Sequence, residues 1–251
     1  IIAGVTPVTN PTSTTMFKAL ISAKTRNPII FAFHPSAQKC SAESARVLRD
    51  AAIAKGAPEH CVQWVELPSL EATNLLMNHP NVSMILATGG SGMVKAAYSA
   101  GKPALGVGPG NVPCYFHNDI DVERACTDLI ISKSFDNGMI CASEQAAIVH
   151  KDIADEFERV MKNHACVFLE GKDAQKLSDY VINIEKQSVN PEVVGQTAHW
   201  IAKNAGVEVP EDTKILLVQL KEPSLEYPLS LEKLSPVLAY FVVEDEVQGF
   251  D

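Results

Sequence analysis

Met84-Ile85-Leu86-Ala87-Thr88-Gly89-Gly90-Ser91-Gly92 is the stretch on which the reading of this chain turns. Five residues suited to a buried strand run directly into a glycine-rich turn, and Met93-Val94-Lys95-Ala96-Ala97-Tyr98 then has the composition of a helix. Strand, tight turn and helix in succession form half of a strand-helix-strand unit, whose crossover is right-handed and whose strands are parallel. The same alternation recurs on both sides. Apolar runs at 28–33, 62–67, 104–107 and 114–117 are expected strands, and helices are expected at 12–24, 41–55, 69–78 and 91–100. The first helix carries Met16, Phe17, Leu20 and Ile21 at a spacing that predicts a core-facing stripe. Gly56-Ala57-Pro58 ends the second helix, and Ser69 stands where a cap for the third belongs.

After Asp119 a second alternation begins. Helices are expected at 122–133, 153–163, 173–180 and 198–205, with strands at 146–149, 167–169, 215–218 and 237–243. The fold class is therefore α/β in two parts, 1–118 and 119–251, with the seam in the polar break from Asn118 to Asp121. Hydrophobic residues make up 46% of the 251 and charged residues 20%, which suits a chain that buries a real core. A net charge of −9 argues against nucleic acid as a partner. No apolar run approaches the roughly 18–20 residues of a membrane span. Six cysteines without a Cys-x-x-Cys pair suit free thiols in the cytoplasm. The chain opens on Ile1-Ile2-Ala3-Gly4-Val5 as a core strand and closes as an element begins, so it is expected to be the contiguous middle of a longer protein.

Open parallel sheets bind ligands beyond the carboxyl ends of their strands, so residues just after strands are the informative ones. Gly89-Gly90-Ser91-Gly92 lets backbone amides and a helix N-terminus approach a phosphate, and Gly106-Val107-Gly108-Pro109-Gly110-Asn111 is a second loop of little bulk. Either is equally readable as a tight turn, and neither matches the G-x-G-x-x-G fingerprint. Cys141 follows the polar turn Phe135-Asp136-Asn137-Gly138, a setting that can expose a thiol near helix-start amides. By contrast, Cys61 and Cys126 read as small core residues. Asn10 either caps a helix before Pro11 or offers an amide to an oxyanion. Glu232 either binds ribose hydroxyls or starts a strand, and His34 is a turn residue or an adenosine contact. No His, Asp and Glu cluster has metal-ligand spacing, and no Gly-x-Ser-x-Gly elbow is present.

Taken together, residues 7–14, 86–98, 106–111, 135–145 and 232–236 resemble the aldehyde dehydrogenase superfamily, specifically the CoA-acylating domain of bifunctional aldehyde-alcohol dehydrogenases. The resemblance covers essentially the whole chain, and Phe135-Asp136-Asn137-Gly138-Met139-Ile140-Cys141-Ala142-Ser143-Glu144-Gln145 is its most specific segment. It implies a Rossmann-like, parallel-sheet NAD-binding domain over 1–118 and an α/β catalytic domain over 119–251, both incomplete. It also implies Cys141 as nucleophile and Asn10 as oxyanion donor. Val5, Thr6, Pro7, Val8, Thr9 and Asn10, with Gly90 and Gly108, would line the dinucleotide site, and Glu232 would hold the nicotinamide ribose. The implied reaction interconverts a short-chain aldehyde, CoA and NAD with acyl-CoA and NADH through a cysteine thioester. The implied assembly is a homo-oligomer, with filaments formed by the full-length protein.

Two departures qualify the match. Hydrolytic members of the family carry a general-base Glu in Glu-Leu-Gly-Gly, where this chain has Gly106-Val107-Gly108-Pro109. A CoA thiol is a better nucleophile than water and needs no such base, so thiolysis is favoured over hydrolysis. His34 replaces the Lys that many relatives place before Pro, which leaves cofactor choice open. Alternatives are a stand-alone acylating dehydrogenase for propionaldehyde or succinate semialdehyde, and a non-catalytic assembly fragment.

Overall fold

The computed structural model describes residues 1–250, and the chain divides into two compact units, the first Ile1–Pro109 and the second beginning at Gly110. In the first, strands β1 (Ile2–Val5), β2 (Ile29–Ala32), β3 (Val62–Trp64), β4 (Met84–Thr88) and β5 (Ala104–Val107) form one sheet in the order β3-β2-β1-β4-β5. Every pair in it is parallel. Helices α1 (Pro11–Lys24), α2 (Gln38–Ala54), α3 (Leu70–Asn78) and α4 (Ser91–Ser99) make the crossovers. Strand alternation splits the core into two layers. Ile2, Ile29 and Phe31 pack with Ala19 of α1 and Ala45 of α2, while Ala3, Val5 and Ile85 pack with Met77 of α3 and Ala97 of α4. Ser69 caps α3 as expected, its Oγ accepting from the Ala72 N–H at 3.0 Å.

In the second unit β6 (Val112–Phe116), β7 (Glu144–His150), β8 (Cys166–Leu169), β11 (Ile215–Gln219) and β12 (Val237–Val243) form a sheet in the order β6-β7-β12-β11-β8, again wholly parallel. The two-residue strands β9 (Ile182–Asn183) and β10 (Ser188–Val189) pair separately as an antiparallel ribbon. Helices α5 (Val122–Ser134) and α6 (Ala154–Asn163) cover one face of the large sheet, where Leu129 and Phe157 meet Leu238 and Tyr240. Helices α7 (Gly171–Val181) and α8 (Ala198–Asn204) cover the other, where Leu177 and Ile201 meet Val237 and Ala239. A last helix, α9, follows β12 over Glu246–Phe250.

Two expectations need correction. The run at 114–117 is not the last strand of the first part: as β6 it bonds to β7, so the chain divides after Pro109 and not at Asn118 to Asp121. A short strand takes the sheet that offers it a hydrogen-bonding partner, and its own composition does not say which. Nor does α1 bury Met16, Phe17, Leu20 and Ile21, all of which are exposed. The stripe against the sheet is Thr14, Thr15, Lys18, Ala19 and Ser22. Small side chains bring the helix axis close to the strands, and a long amine can then reach past the sheet edge.

That amine belongs to Lys18. It donates to the carbonyls of Val5 and, at 2.8 Å, Leu86, in the two central strands of the sheet. Burial lowers its pKa to about 7, and a neutral amine has two N–H groups, one for each carbonyl. Lys18→Met removes two hydrogen bonds that tie α1 to β1 and β4, so urea unfolding is expected to show a loss of about 1–3 kcal/mol. The folded pKa lies below the unfolded value of about 10.4. Between these values the unfolded chain binds the extra proton, and Lys18's contribution to stability rises with pH. The gap between wild type and variant should therefore widen from about pH 7 to about pH 9. A gap that narrows over this range contradicts a buried neutral amine.

Candidate active site

In the first unit the strand order reverses direction at β1 and β4, the kind of crevice where doubly wound sheets take ligands. The chain leaves β1 through Thr6, Pro7, Val8, Thr9 and Asn10, and leaves β4 through Gly89 and Gly90 into the N-terminus of α4. Neighbouring parallel strands therefore bring these segments to one carboxyl edge, and Gly108 follows β5 at the same edge. A Cβ placed on Gly90 meets no atom within 4 Å, and one on Gly108 meets only Val94 Cγ2 at 3.7 Å. The floor at both positions is bare backbone. Thr6 Oγ1 is buried beside it without a hydrogen-bond partner. Amides at a helix start and an orphaned hydroxyl fit the diphosphate and ribose of a dinucleotide.

Asn10 occupies the N-cap position of α1, yet its side chain makes no capping bond. Its Oδ1 accepts from Thr9 Oγ1 at 3.3 Å, and among the described residues nothing accepts from its Nδ2. The capping reading therefore fails, and the amide is left free to donate. His34 is a turn residue: its Nδ1 accepts from the Ser36 N–H at 3.2 Å. Gly106 is closed off. A Cβ there would lie 2.7 Å from Val94 Cγ1 and 2.9 Å from Tyr98 Cε2, so the position takes no side chain without a shift in α4.

In the second unit the candidates gather at the opposite kind of edge. Gly110, Cys141 and Glu232 each precede a strand, and those strands, β6, β7 and β12, are adjacent and parallel. Their amino ends therefore line up, although the sequence had pointed to residues after strands. The Cys141 carbonyl lies 3.3 Å from where a Gly110 Cβ would sit. Glu232 Oε1 accepts from the Gly110 N–H at 3.0 Å. Burial raises the pKa of Glu232, opposed by that amide and by the charges of Lys233 and Lys133. Cys141 is half-buried and unpaired, in a turn that leads into β7, so it has no helix-start amides. Cys126 and Cys166, by contrast, are buried, and burial pushes both thiols up to about 12.

The turn that presents Cys141 is held from below. Asp136, Asn137 and Gly138 all have positive φ, near 52°, 52° and 64°. Asp and Asn tolerate this region, but only Gly fits at 138. A Cβ there would lie 2.8 Å from the Ser235 carbonyl oxygen and 3.0 Å from that of Lys133. The Asn137 side chain fastens the turn further by donating to the Gly195 carbonyl at 2.9 Å. Under the turn lie Gln145, which accepts from the Lys233 N–H at 2.9 Å, and two wholly buried lysines, Lys133 and Lys233. Sequence reasoning passed over both lysines and Lys18, because a lone basic residue in a helical or loop pattern ordinarily reads as solvated. For Lys18 a signal existed in the small stripe of Thr14, Thr15, Ala19 and Ser22 around it.

The aldehyde dehydrogenase family model matches residues 1–196. The aldehyde-alcohol dehydrogenase of Streptococcus pneumoniae serotype 4 is 54% identical over 99% of this chain, which spans 29% of that relative's length. Among solved structures, an acetylating aldehyde dehydrogenase from Geobacillus thermoglucosidasius superimposes with a TM-score of 0.91 at 47% identity, covering 97% of this chain and 53% of its own. A Rhodopseudomonas palustris propionaldehyde dehydrogenase, solved with bound CoA and an acylated cysteine, gives 0.86 at 34% identity, covering 97% of this chain and 55% of its own. With matched sequence over most of its length and the same pair of parallel sheets, the chain belongs to the aldehyde dehydrogenase family.

Proposed function

We propose that this chain carries the nucleophile and much of the cofactor floor of an NAD-dependent, CoA-acylating dehydrogenase for acetaldehyde or another short-chain aldehyde. The observation that carries this reading is the Cys141 turn, held by Gly138 and placed beside the Gly110 amide and the Glu232 carboxylate. The acylated cysteine of the propionaldehyde dehydrogenase supports the same covalent chemistry. Identity to the acetylating aldehyde dehydrogenase, at 47% against 34% for the propionaldehyde dehydrogenase, supports an acetyl over a propionyl group. A homo-oligomer able to form filaments, located in the cytoplasm, is part of the same proposal.

The residues divide the work as follows. Cys141 as thiolate adds to the aldehyde carbon, forming the carbon–sulfur bond of a thiohemiacetal and placing negative charge on oxygen. The Asn10 amide donates to that oxygen. Bound NAD supplies the acceptor for the two electrons and the hydrogen that leave the carbon, and the acyl group remains on Cys141 as a thioester. The dinucleotide is held by the backbone of Val5 to Asn10 with Gly90 and Gly108, and its nicotinamide ribose by Glu232. The CoA thiol, giving up its proton, then attacks the thioester carbonyl, so that acyl-CoA departs and the Cys141 thiolate returns. Water lacks the thiol's nucleophilicity, and Gly106 offers no carboxylate to activate it.

In the full-length protein, Cys141→Ser is expected to lower NADH formation from acetaldehyde plus CoA by at least about a thousandfold. Undiminished activity in that variant removes Cys141 from the mechanism, and a rate indifferent to CoA removes the acylating step. Asn10→Ala should lower kcat by about 10²–10³. A rise in KM with kcat unchanged would show that Asn10 binds substrate and does not serve the developing oxyanion.

A further inference from the structure

Lys133 ends α5 directly beneath the Cys141 turn, fully buried, and its Nζ has no hydrogen-bond partner. A buried amine without a partner is costly to keep, so one that persists calls for a compensating interaction. The neighbouring Lys233 differs. Its Nζ donates to the Leu229 and Leu231 carbonyls, both at 2.7 Å. Burial drives Lys233 well below its ordinary pKa, with the Lys133 charge adding to the effect. The two carbonyls match the two N–H groups of a neutral amine at Lys233, whereas Lys133 Nζ has no acceptor among the described residues.

The charged groups facing Lys133 are Glu144 on β7 and Glu232 and Lys233 ahead of β12. Glu144 has a local partner, accepting from Ser132 Oγ at 2.8 Å. Glu232 is the carboxylate that burial most threatens to neutralise, and its one hydrogen bond is the Gly110 N–H at 3.0 Å. Gly138 brings the end of α5 and the 232–235 segment together, since the Lys133 and Ser235 carbonyl oxygens both lie within 3.0 Å of one point beside it.

We propose that Lys133 is a positioning residue for cofactor binding: its buried, unpartnered ammonium is the counter-charge that keeps Glu232 ionised and anchored on the Gly110 amide. The role rests on the function proposed above only in so far as Glu232 meets the cofactor. Burial lowers the pKa of Lys133 to about 7, so the charge is present below that pH, where Glu232 most needs it, and fades above it. Met has a similar length and no amine, so Lys133→Met removes the charge and leaves no polar group unsatisfied.

The test is made on the full-length protein with Lys133→Met, Lys133→Arg and Glu232→Gln. The carboxyl band of Glu232 in pH-difference infrared spectra is assigned by its loss in Glu232→Gln. It is expected to titrate at higher pH in Lys133→Met than in wild type and to return toward wild type in Lys133→Arg. NADH affinity by fluorescence titration should fall in Lys133→Met at about pH 6, by at most about tenfold for each unit the carboxyl moves, and change little at about pH 8. The melting temperature should not fall. An unmoved carboxyl band in Lys133→Met overturns the role of Lys133 whatever the cofactor does. A moved band in a wild-type-like fold that binds no NADH instead overturns the assignment of Glu232 to the cofactor, and the electrostatic role of Lys133 stands.

Discussion

In both units a buried lysine amine bridges two backbone carbonyls and so ties neighbouring segments together. Lys18 spans the carbonyls of Val5 and Leu86, in the two central strands of the first sheet. Lys233 takes those of Leu229 and Leu231, in the loop that delivers Glu232 to Gly110. Each amine is driven toward its neutral form by burial, and each then matches two N–H groups to two acceptors. The segments that would touch cofactor and substrate lie against these amines. Their geometry therefore follows from a hydrogen-bond requirement in the backbone as much as from the identity of the residues displayed.

The two sheets use their edges differently. In the first, Thr6 to Asn10 and Gly89 to Gly90 leave the carboxyl ends of β1 and β4, where the strand order reverses and a crevice opens. In the second, Gly110, Cys141 and Glu232 enter the amino ends of β6, β7 and β12, which lie side by side. Three loops that precede three adjacent parallel strands must start near one another, and Gly138 draws them closer by admitting two carbonyl oxygens where any side chain would clash. The setting of Cys141 thus differs from that of the thiols in the core. Cys126 and Cys166 are sealed against helices and strands, while Cys141 stands in a turn.

Much of this was legible in the sequence. Met84–Thr88 and Ala104–Val107 are strands with the expected bounds, since a glycine or proline breaks the pattern sharply at their ends. The polar, glycine-bearing turn at 135–138 is plain in the sequence, but composition alone leaves the cysteine after it one candidate among six. What stayed hidden depends on partners distant in sequence. The membership of β6 in the second sheet is decided by its hydrogen bonds to β7, and no local property of Val112–Phe116 encodes it. The outward turn of Met16, Phe17, Leu20 and Ile21 inverts the usual amphipathic rule, because α1 meets the sheet with the small side chains of Thr15, Ala19 and Ser22 and is bonded to it by Lys18. Lys133 and Lys233 were invisible for a similar reason: only the packing around Gly138 and Gln145 removes them from water.

The central claim is that Cys141 carries the acyl group. Incubating the full-length protein with acetyl-CoA in the absence of NADH, quenching in acid and mapping peptides by mass spectrometry tests it directly. An acetyl thioester on the peptide containing Cys141, discharged by added CoA, is the predicted result. Acetylation confined to another of the six cysteines, with Cys141 free, would contradict it.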